Sequence, residues 1–529
     1  MTTETETTAF PVHWDDLADA ELTWRFDPMH NPEVTTPLGF DLYMEPFIRG
    51  FGMLRLCQQN CYIYVHQASM PPSASNKVPV EAIHAGARRW RDEIIREVRG
   101  FDDHYRLTDF DAMTTEELVA ELDQLLDVRL RCGQLHSMAM LPWWMGMMNL
   151  IETVRELTDG DDFAAVRLVQ GHGSKSVEAG EALWRLSRLA ASVPGVRDRL
   201  LAMDSEATKE QLEALETEPS AGPFLEAFAA FLDEFGWRSG MYEFAAPTWN
   251  EDPAAPLSQL RAFLQMPDYD FRHEQGRLAA EREDALRAAL SRLDSEKAVV
   301  LQAAVTGAAD VVSILEDHNH YIDQRVGVLP RRLVLAAGRR LVDMSMLSAP
   351  ENVFYLRGTE LRAALNGEAN DLHDLVRDRK AEMEGWSKIT PPVTIGAPPQ
   401  EVSPGSGEPD RFWGTHGLRS ERADELRGNG ASAGVARGPA RVLASLNEAH
   451  RFKPGDVLVT RTTMPPWTPL FAVASAVVTE TGGILSHAAV TAREYGLPAV
   501  LCVENATRSI QDGQPLEVDG SKGIVRILS

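Results

Sequence analysis

One histidine in this chain has surroundings suited to nucleophilic chemistry. His487 follows Thr479-Glu480-Thr481-Gly482-Gly483-Ile484-Leu485-Ser486 and precedes Ala488-Ala489-Val490. A neutral imidazole nitrogen is a good nucleophile near pH 7, and a phosphoramidate formed on it is a good donor. Gly482 and Gly483 leave their backbone N–H groups unshielded. Ser486 is a good N-cap, and a helix starting there presents its positive end to the ring. The spacing therefore suggests a phosphoryl group carried on His487.

The elements that hold this histidine can be read on either side of it. Residues 474–478 predict a buried strand, and 488–495 a helix stopped by Gly496-Leu497-Pro498. Further strands are expected at 455–460 and 499–503, and a hairpin over 516–528 turning at Asp519-Gly520. Together these set a small domain at 428–529. Before it, 388–427 is crowded with Pro391, Pro392, Pro398, Pro399, Pro404, Gly405 and Gly407 and reads as an extended linker. About 40 flexible residues span on the order of 35 Å, enough for a tethered domain to visit two separated sites.

Residues 1–387 predict a mostly helical domain. Thr114-x-x-Glu117 is a capping box ahead of Leu118, Leu122 and Leu125 at helical spacing. Residues 16–22, 82–99, 176–192 and 206–216 read as helices. A longer pattern over 277–321 is expected to break near Asp294-Ser295 or Gly307. The apolar run 138–151 is too short to span a bilayer and reads as a buried helix.

With 529 residues, 44% hydrophobic and 25% charged, the chain has the composition of a soluble globular protein of two to four domains. A net charge of −26 argues against nucleic acid as a partner. Four cysteines make no disulfide framework and fit a reducing cytoplasm, and the polar N-terminus gives no sign of a signal peptide or membrane anchor. No metal set emerges: Cys57-x-x-x-Cys61 has no second pair to complete it.

The stretch around His487 resembles the phosphohistidine domain of the superfamily that includes phosphoenolpyruvate synthase, pyruvate phosphate dikinase and rifampin phosphotransferase. Thr479, Gly482, Gly483, Ser486, His487, Ala488, Ala489, Ala492, Arg493, Gly496, Pro498, Ala499 and Val500 match its pattern. The resemblance implies transient phosphorylation of His487 on a compact β/β/α swivelling unit, with Thr479 placed to hydrogen-bond the phosphoimidazole. The front of the chain is similar to the acceptor-binding domains of rifampin phosphotransferase-like and phenylphosphate synthase-like proteins. Residues 24–32, Gln170-Gly171, 180–184, 235–238 with Glu243, 247–253 and 351–356 carry that likeness. The fold class expected is thus multidomain, α + α/β.

Such relatives usually have an ATP-grasp domain that charges the histidine, and no glycine-rich phosphate loop with its lysines and acidic magnesium ligands is found here. Phenylphosphate synthase, with separate nucleotide and phosphohistidine subunits, is the nearest arrangement. It implies a separate ATP-grasp-type partner that uses ATP and Mg2+, with AMP and inorganic phosphate as products and no tightly bound cofactor on this chain.

Transfer from phosphohistidine to a hydroxyl needs a place for the acceptor's proton, positive partners for the phosphoryl oxygens, and exclusion of water. The densest polar cluster in the helical region is Glu316-Asp317-His318-Asn319-His320-Tyr321. On an α-helix Glu316 and His320 share a face and make a base with an orienting carboxylate, while His318 points about 200° away. Arg331, Arg332 and Arg238 are candidates to steady a phosphate. Asp317, Tyr321 and Glu243 join them as candidate binding residues. Trp143-Trp144-Met145-Gly146-Met147-Met148 would line a pocket for an aromatic or alicyclic acceptor, or simply fill a core. The expected activity is phosphotransfer to a small-molecule hydroxyl. The alternatives are a ligase or dehydratase in which phosphate only activates, and a non-catalytic phosphoryl carrier.

Overall fold

The computed structural model describes residues 10–67, 78–193, 195–203, 208–369, 371–398, 414, 420, 422 and 424–528. The main helices are α1 (Thr115–Leu157), α2 (Lys175–Ser192), α3 (Gly222–Phe235), α4 (Phe271–Leu290), α5 (Ser295–Val311), α6 (Ile314–His318), α7 (Arg331–Asp343) and, far along the chain, α8 (His487–Glu494). The Thr114 hydroxyl accepts from Glu117 N, and the Glu117 carboxylate accepts from Thr114 N, closing the capping box that starts α1. Asp294 caps α5, so the long pattern breaks there; it runs unbroken through Gly307. Leu118, Leu122, Leu125, Trp143, Met147 and Ile151 lie on the buried side of α1 and pack against α5 and α7 in one large core.

The helical domain is not purely helical. Aromatic and β-branched residues favour strands, and four strands, β1 (Thr23–Phe26), β2 (Leu54–Gln59), β3 (Tyr62–Gln67) and β4 (Thr394–Gly396), form an antiparallel sheet in the order β2-β3-β1-β4. Trp24, Tyr62, Tyr64 and Ile395 make its core. This moves one end of the expected 388–427 linker. Thr394–Gly396 is fixed against β1, because Ile395 buries an apolar side chain that a loose tether would leave in water. At the other end Glu425–Arg427 is β5, paired with the last strand. Most of 399–423 lies outside the described residues.

The C-terminal sheet adds β6 (Asn429–Ser432), β7 (Val435–Val442), β8 (Val457–Thr460), β9 (Ala476–Thr479), β10 (Ala499–Leu501), β11 (Pro515–Asp519) and β12 (Ile524–Ile527). Its order is β5-β12-β11-β7-β8-β9-β10-β6. β7 to β10 are parallel neighbours, and β8, β9 and β10 are buried at every position, as continuous apolar runs in a covered parallel sheet should be.

The run 295–343 is long and apolar enough to cross a bilayer by length and composition. It carries Glu316, Asp317, His318, His320, Asp323 and Arg325 in its middle and packs as the core of the helical domain.

Candidate active site

His487 stands where ligand sites of parallel sheets usually lie, beyond the carboxyl end of a central strand. β9 ends at Thr479, the loop 480–486 turns, and His487 opens α8. Gly482 has φ +105°, and a Cβ there would meet Ser486 Oγ at 2.8 Å, so the turn needs glycine. Ser486 occupies the N-cap position, but its hydroxyl donates back to Gly483 O at 2.8 Å instead of capping the helix. Thr479 is fully buried and its hydroxyl donates to Thr481 O at 2.6 Å, so it braces the loop and is not turned to the ring. Arg493 donates to Ala431 O and Ile484 O, both at 2.9 Å, tying α8 to β6 and to the same loop. Thr479, Gly482, Gly483, Ser486 and Arg493 therefore shape the turn that presents His487.

The ring meets Glu316. Nδ1 of His487 lies 2.8 Å from Glu316 Oε1, and Ser176 Oγ donates to Glu316 Oε2 at 2.7 Å. A carboxylate accepts, so Nδ1 carries the proton and Nε2 is left with its lone pair. Nε2 is shielded from solvent and has no hydrogen-bond partner, while the side chain as a whole is 13% exposed. Burial works to raise the Glu316 pKa. Electrostatic attraction to the His487 ring, the hydrogen bonds from His487 and Ser176, and attraction to the nearby His318 ring outweigh it and hold the carboxyl below its ordinary value.

The small domain is seated on the helical one by more than this pair. The Glu494 carboxylate accepts from Gly171 N at 2.8 Å and Gly173 N at 3.2 Å, and Gln275 donates to Glu494 O at 2.8 Å. Arg461 donates to Pro32 O and Thr462 to Met29 O. Trp467, Phe471 and Tyr495 share an apolar cluster with Phe224, Phe228 and Phe271. Tyr495 packs over Gly180 of α2 so closely that an added Cβ would sit within 2.1 Å of its hydroxyl oxygen.

The expected Glu316–His320 pair does not form. His320 Nε2 faces Glu234 Oε1 at 3.5 Å, and neither ring nitrogen has a hydrogen-bond partner. The reason is local: residues Asn319–Val326 are π-helical, so α-helical spacing no longer says which side chains share a face. Burial pushes His320 down to about 3, and Asp317, which accepts from Lys175 N at 2.8 Å, up to about 6. Tyr321 packs edge-on against Trp90 and His320.

Of the arginines, Arg331 is committed to Glu251 at 2.9 Å and to the carbonyls of Phe244 and Ala245, and Arg332 to the carbonyls of Tyr105 and Arg106. Both brace the fold and neither is free for a phosphate. Arg238 differs. It is 1% exposed, Nη2 donates to Lys175 O at 3.3 Å, and Nε and Nη1 have no partner. Burial brings it down to about 10, against the pull of the Glu316 carboxylate. Glu243 is buried and fully used by Thr36 N, Thr36 Oγ1 and Ala245 N. Trp143 is core, and Trp144 packs half-buried beside it.

Ser176, Glu234, Glu494 and Tyr495 belong to the site and were not legible as such. Ser176 and Glu494 look like ordinary helix residues. Packing of α2 against α6 inside the helical domain brings Ser176 to Glu316, and docking of the small domain brings Glu494 to the Gly171 and Gly173 amides.

Two family descriptions match. Residues 136–314 match "Rifampicin phosphotransferase fourth domain", and residues 452–523 match "PEP-utilising enzyme, mobile domain". The chain is 31% identical to a chondramide synthase of Chondromyces crocatus over 98% of this chain and 14% of that protein. It is 30% identical to a rifampicin phosphotransferase of Streptomyces sviceus over 73% of this chain and 43% of that protein. It is also 30% identical to the prodigiosin synthesizing transferase PigC of Serratia marcescens, over 60% and 35% respectively. The chain thus spans less than half the length of these curated relatives. With the mobile domain matched around His487 and the fourth domain matched up to Ile314, two residues short of the carboxylate His487 meets, the chain belongs to the PEP-utilising, phosphohistidine superfamily.

Proposed function

We propose that this chain transfers a phosphoryl group from His487 to the hydroxyl of a small organic acceptor, after a separate ATP-binding partner has charged the histidine using ATP and Mg2+. The observation that carries this reading is the 2.8 Å contact between His487 Nδ1 and the buried Glu316 carboxylate. In the docked state it holds the proton on Nδ1, which leaves Nε2 as the nitrogen that gives up the phosphoryl group, and it sets the ring against a domain type found in rifampicin phosphotransferases.

In the charging step Nε2 attacks the donor phosphorus and the donor's P–O bond breaks. Once the small domain has docked and Glu316 holds Nδ1–H, the phosphorylated ring is an imidazolium, a better leaving group than a neutral ring. In the second step the acceptor oxygen bonds to phosphorus, and the N–P bonding pair returns to Nε2. In a loose phosphoryl transfer the protein's work is positioning and charge stabilisation. The acceptor's proton leaves late, and the freed Nε2 lone pair is the group nearest to take it. Arg238, with Nε and Nη1 uncommitted, is the candidate partner for the phosphoryl oxygens. In the docked arrangement Nε2 is covered, so charging belongs to another position of the small domain, and docking at Glu316 is the delivery station.

A second reading has support from relatives named for synthesis, the chondramide synthase and the prodigiosin synthesizing transferase. There the phosphate would activate a substrate and leave.

The test uses labelled ATP, this chain and candidate ATP-binding partners. The expected result is acid-labile label on the wild type and none on His487→Ala; label retained by His487→Ala overturns the reading. Mass spectrometry of the product then separates phosphate retained from phosphate lost.

A further inference from the structure

Asp323 is five residues beyond His318. On an α-helix that step turns about 140° and the two side chains diverge. Here the π-helical stretch Asn319–Val326 brings them to one face, with His318 Nε2 3.4 Å from Asp323 Oδ2. His136, from α1, closes the group: its Nδ1 is 3.3 Å from Asp323 Oδ1, and its ring stands edge-on to His318 at 4.4 Å between centroids. The three donor atoms lie within 4.8 Å of one another, the one such group of three among the described residues. The side chains are 17%, 4% and 11% exposed, so the cluster is enclosed but not sealed.

The proton count is what makes this cluster unusual. His318 Nδ1 lies 2.8 Å from Ile314 O, a carbonyl that can only accept, so the ring proton sits on Nδ1. A neutral His318 then turns the Nε2 lone pair toward a carboxylate oxygen that also has only lone pairs. Two acceptors at 3.4 Å repel unless something positive lies between them. The spacing suits an ion: two donors each about 2.1 Å from a metal and about 108° apart are about 3.4 Å from each other. The His318-to-carbonyl bond is also the outer-shell contact that metal-binding histidines ordinarily make.

We propose that His136 Nδ1, His318 Nε2 and the Asp323 carboxylate form a site for one divalent first-row transition-metal ion, of the two-histidine, one-carboxylate type. Three protein donors leave positions open on the ion for water, or for an oxygen of the acceptor. Only that second role rests on the phosphotransfer reading; metal binding does not. After the two histidines, Arg129 also acts on Asp323, but it is turned to the Tyr43 carbonyl, with Nε and Nη2 both at 3.2 Å. π-helical segments are frequent at functional sites, and this one supplies the register that an α-helix would not.

The full chain, stripped with a chelator, is titrated with Zn2+ by calorimetry and with Co2+ by visible absorption. The expected result is one equivalent bound, with d–d bands from Co2+. Asp323→Asn and His318→Ala should weaken binding by at least about 100-fold. His136→Gln, a change at a more accessible position, should do the same while circular dichroism stays that of the wild type. His84→Ala, which removes a separate His–Asp pair with Asp310, should bind normally. Less than a tenth of an equivalent on the wild type, or full binding by His136→Gln, overturns the proposal.

Discussion

Glu316 and His487 are 171 residues apart in sequence, yet their side chains meet at 2.8 Å across the boundary between the helical domain and the small sheet domain. The contact links a carboxylate that is 1% exposed to the one ring nitrogen of His487 not needed for nucleophilic attack. Substituting Glu316→Gln keeps a carbonyl oxygen able to accept from Nδ1–H but removes the charge. Phosphoryl transfer from charged His487 should fall roughly 100-fold in single-turnover assays. Because the folded pKa of Glu316 is depressed, its stabilising contact is complete above the ordinary carboxyl range and is lost as pH falls through the lowered value. Docking of the small domain should weaken with it, visible as increased hydrogen exchange in α8.

Arg238 should matter for transfer and not for charging. Arg238→Lys retains a positive charge but not the planar fork whose Nε and Nη1 are uncommitted. Delivery to the acceptor should drop about 100- to 1,000-fold, while the rate at which labelled phosphate appears on His487 stays within a few-fold of wild type. Equal loss in both half-reactions would place Arg238 in the scaffold instead.

Gly180 is a lever on docking. The side chain of Ala at this position would enter the space held by Tyr495, with its Cβ 2.1 Å from the hydroxyl oxygen. The expected outcome for Gly180→Ala is normal charging of His487, slowed transfer, and looser packing of the small domain by small-angle scattering. Tyr495→Phe removes that oxygen, which has no hydrogen-bond partner, and should restore docking in the double variant.

Asp317 gives a pH signature of its own. Burial raises its folded pKa to about 6 from an ordinary value of 3.8. Between these values the folded chain binds more protons than the unfolded one, so stability contributed at Asp317 declines as pH rises through this window. Asp317→Asn keeps an acceptor for Lys175 N without the charge. Its melting temperature should gain on the wild type between pH 4 and 6 and hold a constant lead above; a constant difference across the whole range would refute this.

The local sequence around His487 determined a great deal. Strand, glycine turn, N-terminal helix position and histidine are set by neighbours a few residues away, and β9, the 480–486 loop and α8 follow that pattern closely. The capping box at Thr114 and the break at Asp294 were equally legible, since caps depend on residues three or four apart. Periodicity failed at 319–326, where π-helical hydrogen bonding replaced the 3.6-residue repeat. There Glu316 lost His320 as a partner, and His318 came to face Asp323. The roles of Arg331 and Arg332 were likewise fixed by distant carbonyls and by Glu251, contacts no local pattern encodes. What only the tertiary structure decided is which group His487 meets. That choice rests on apolar burial of Trp467, Phe471 and Tyr495 against the helical domain, a non-directional force acting between segments hundreds of residues apart.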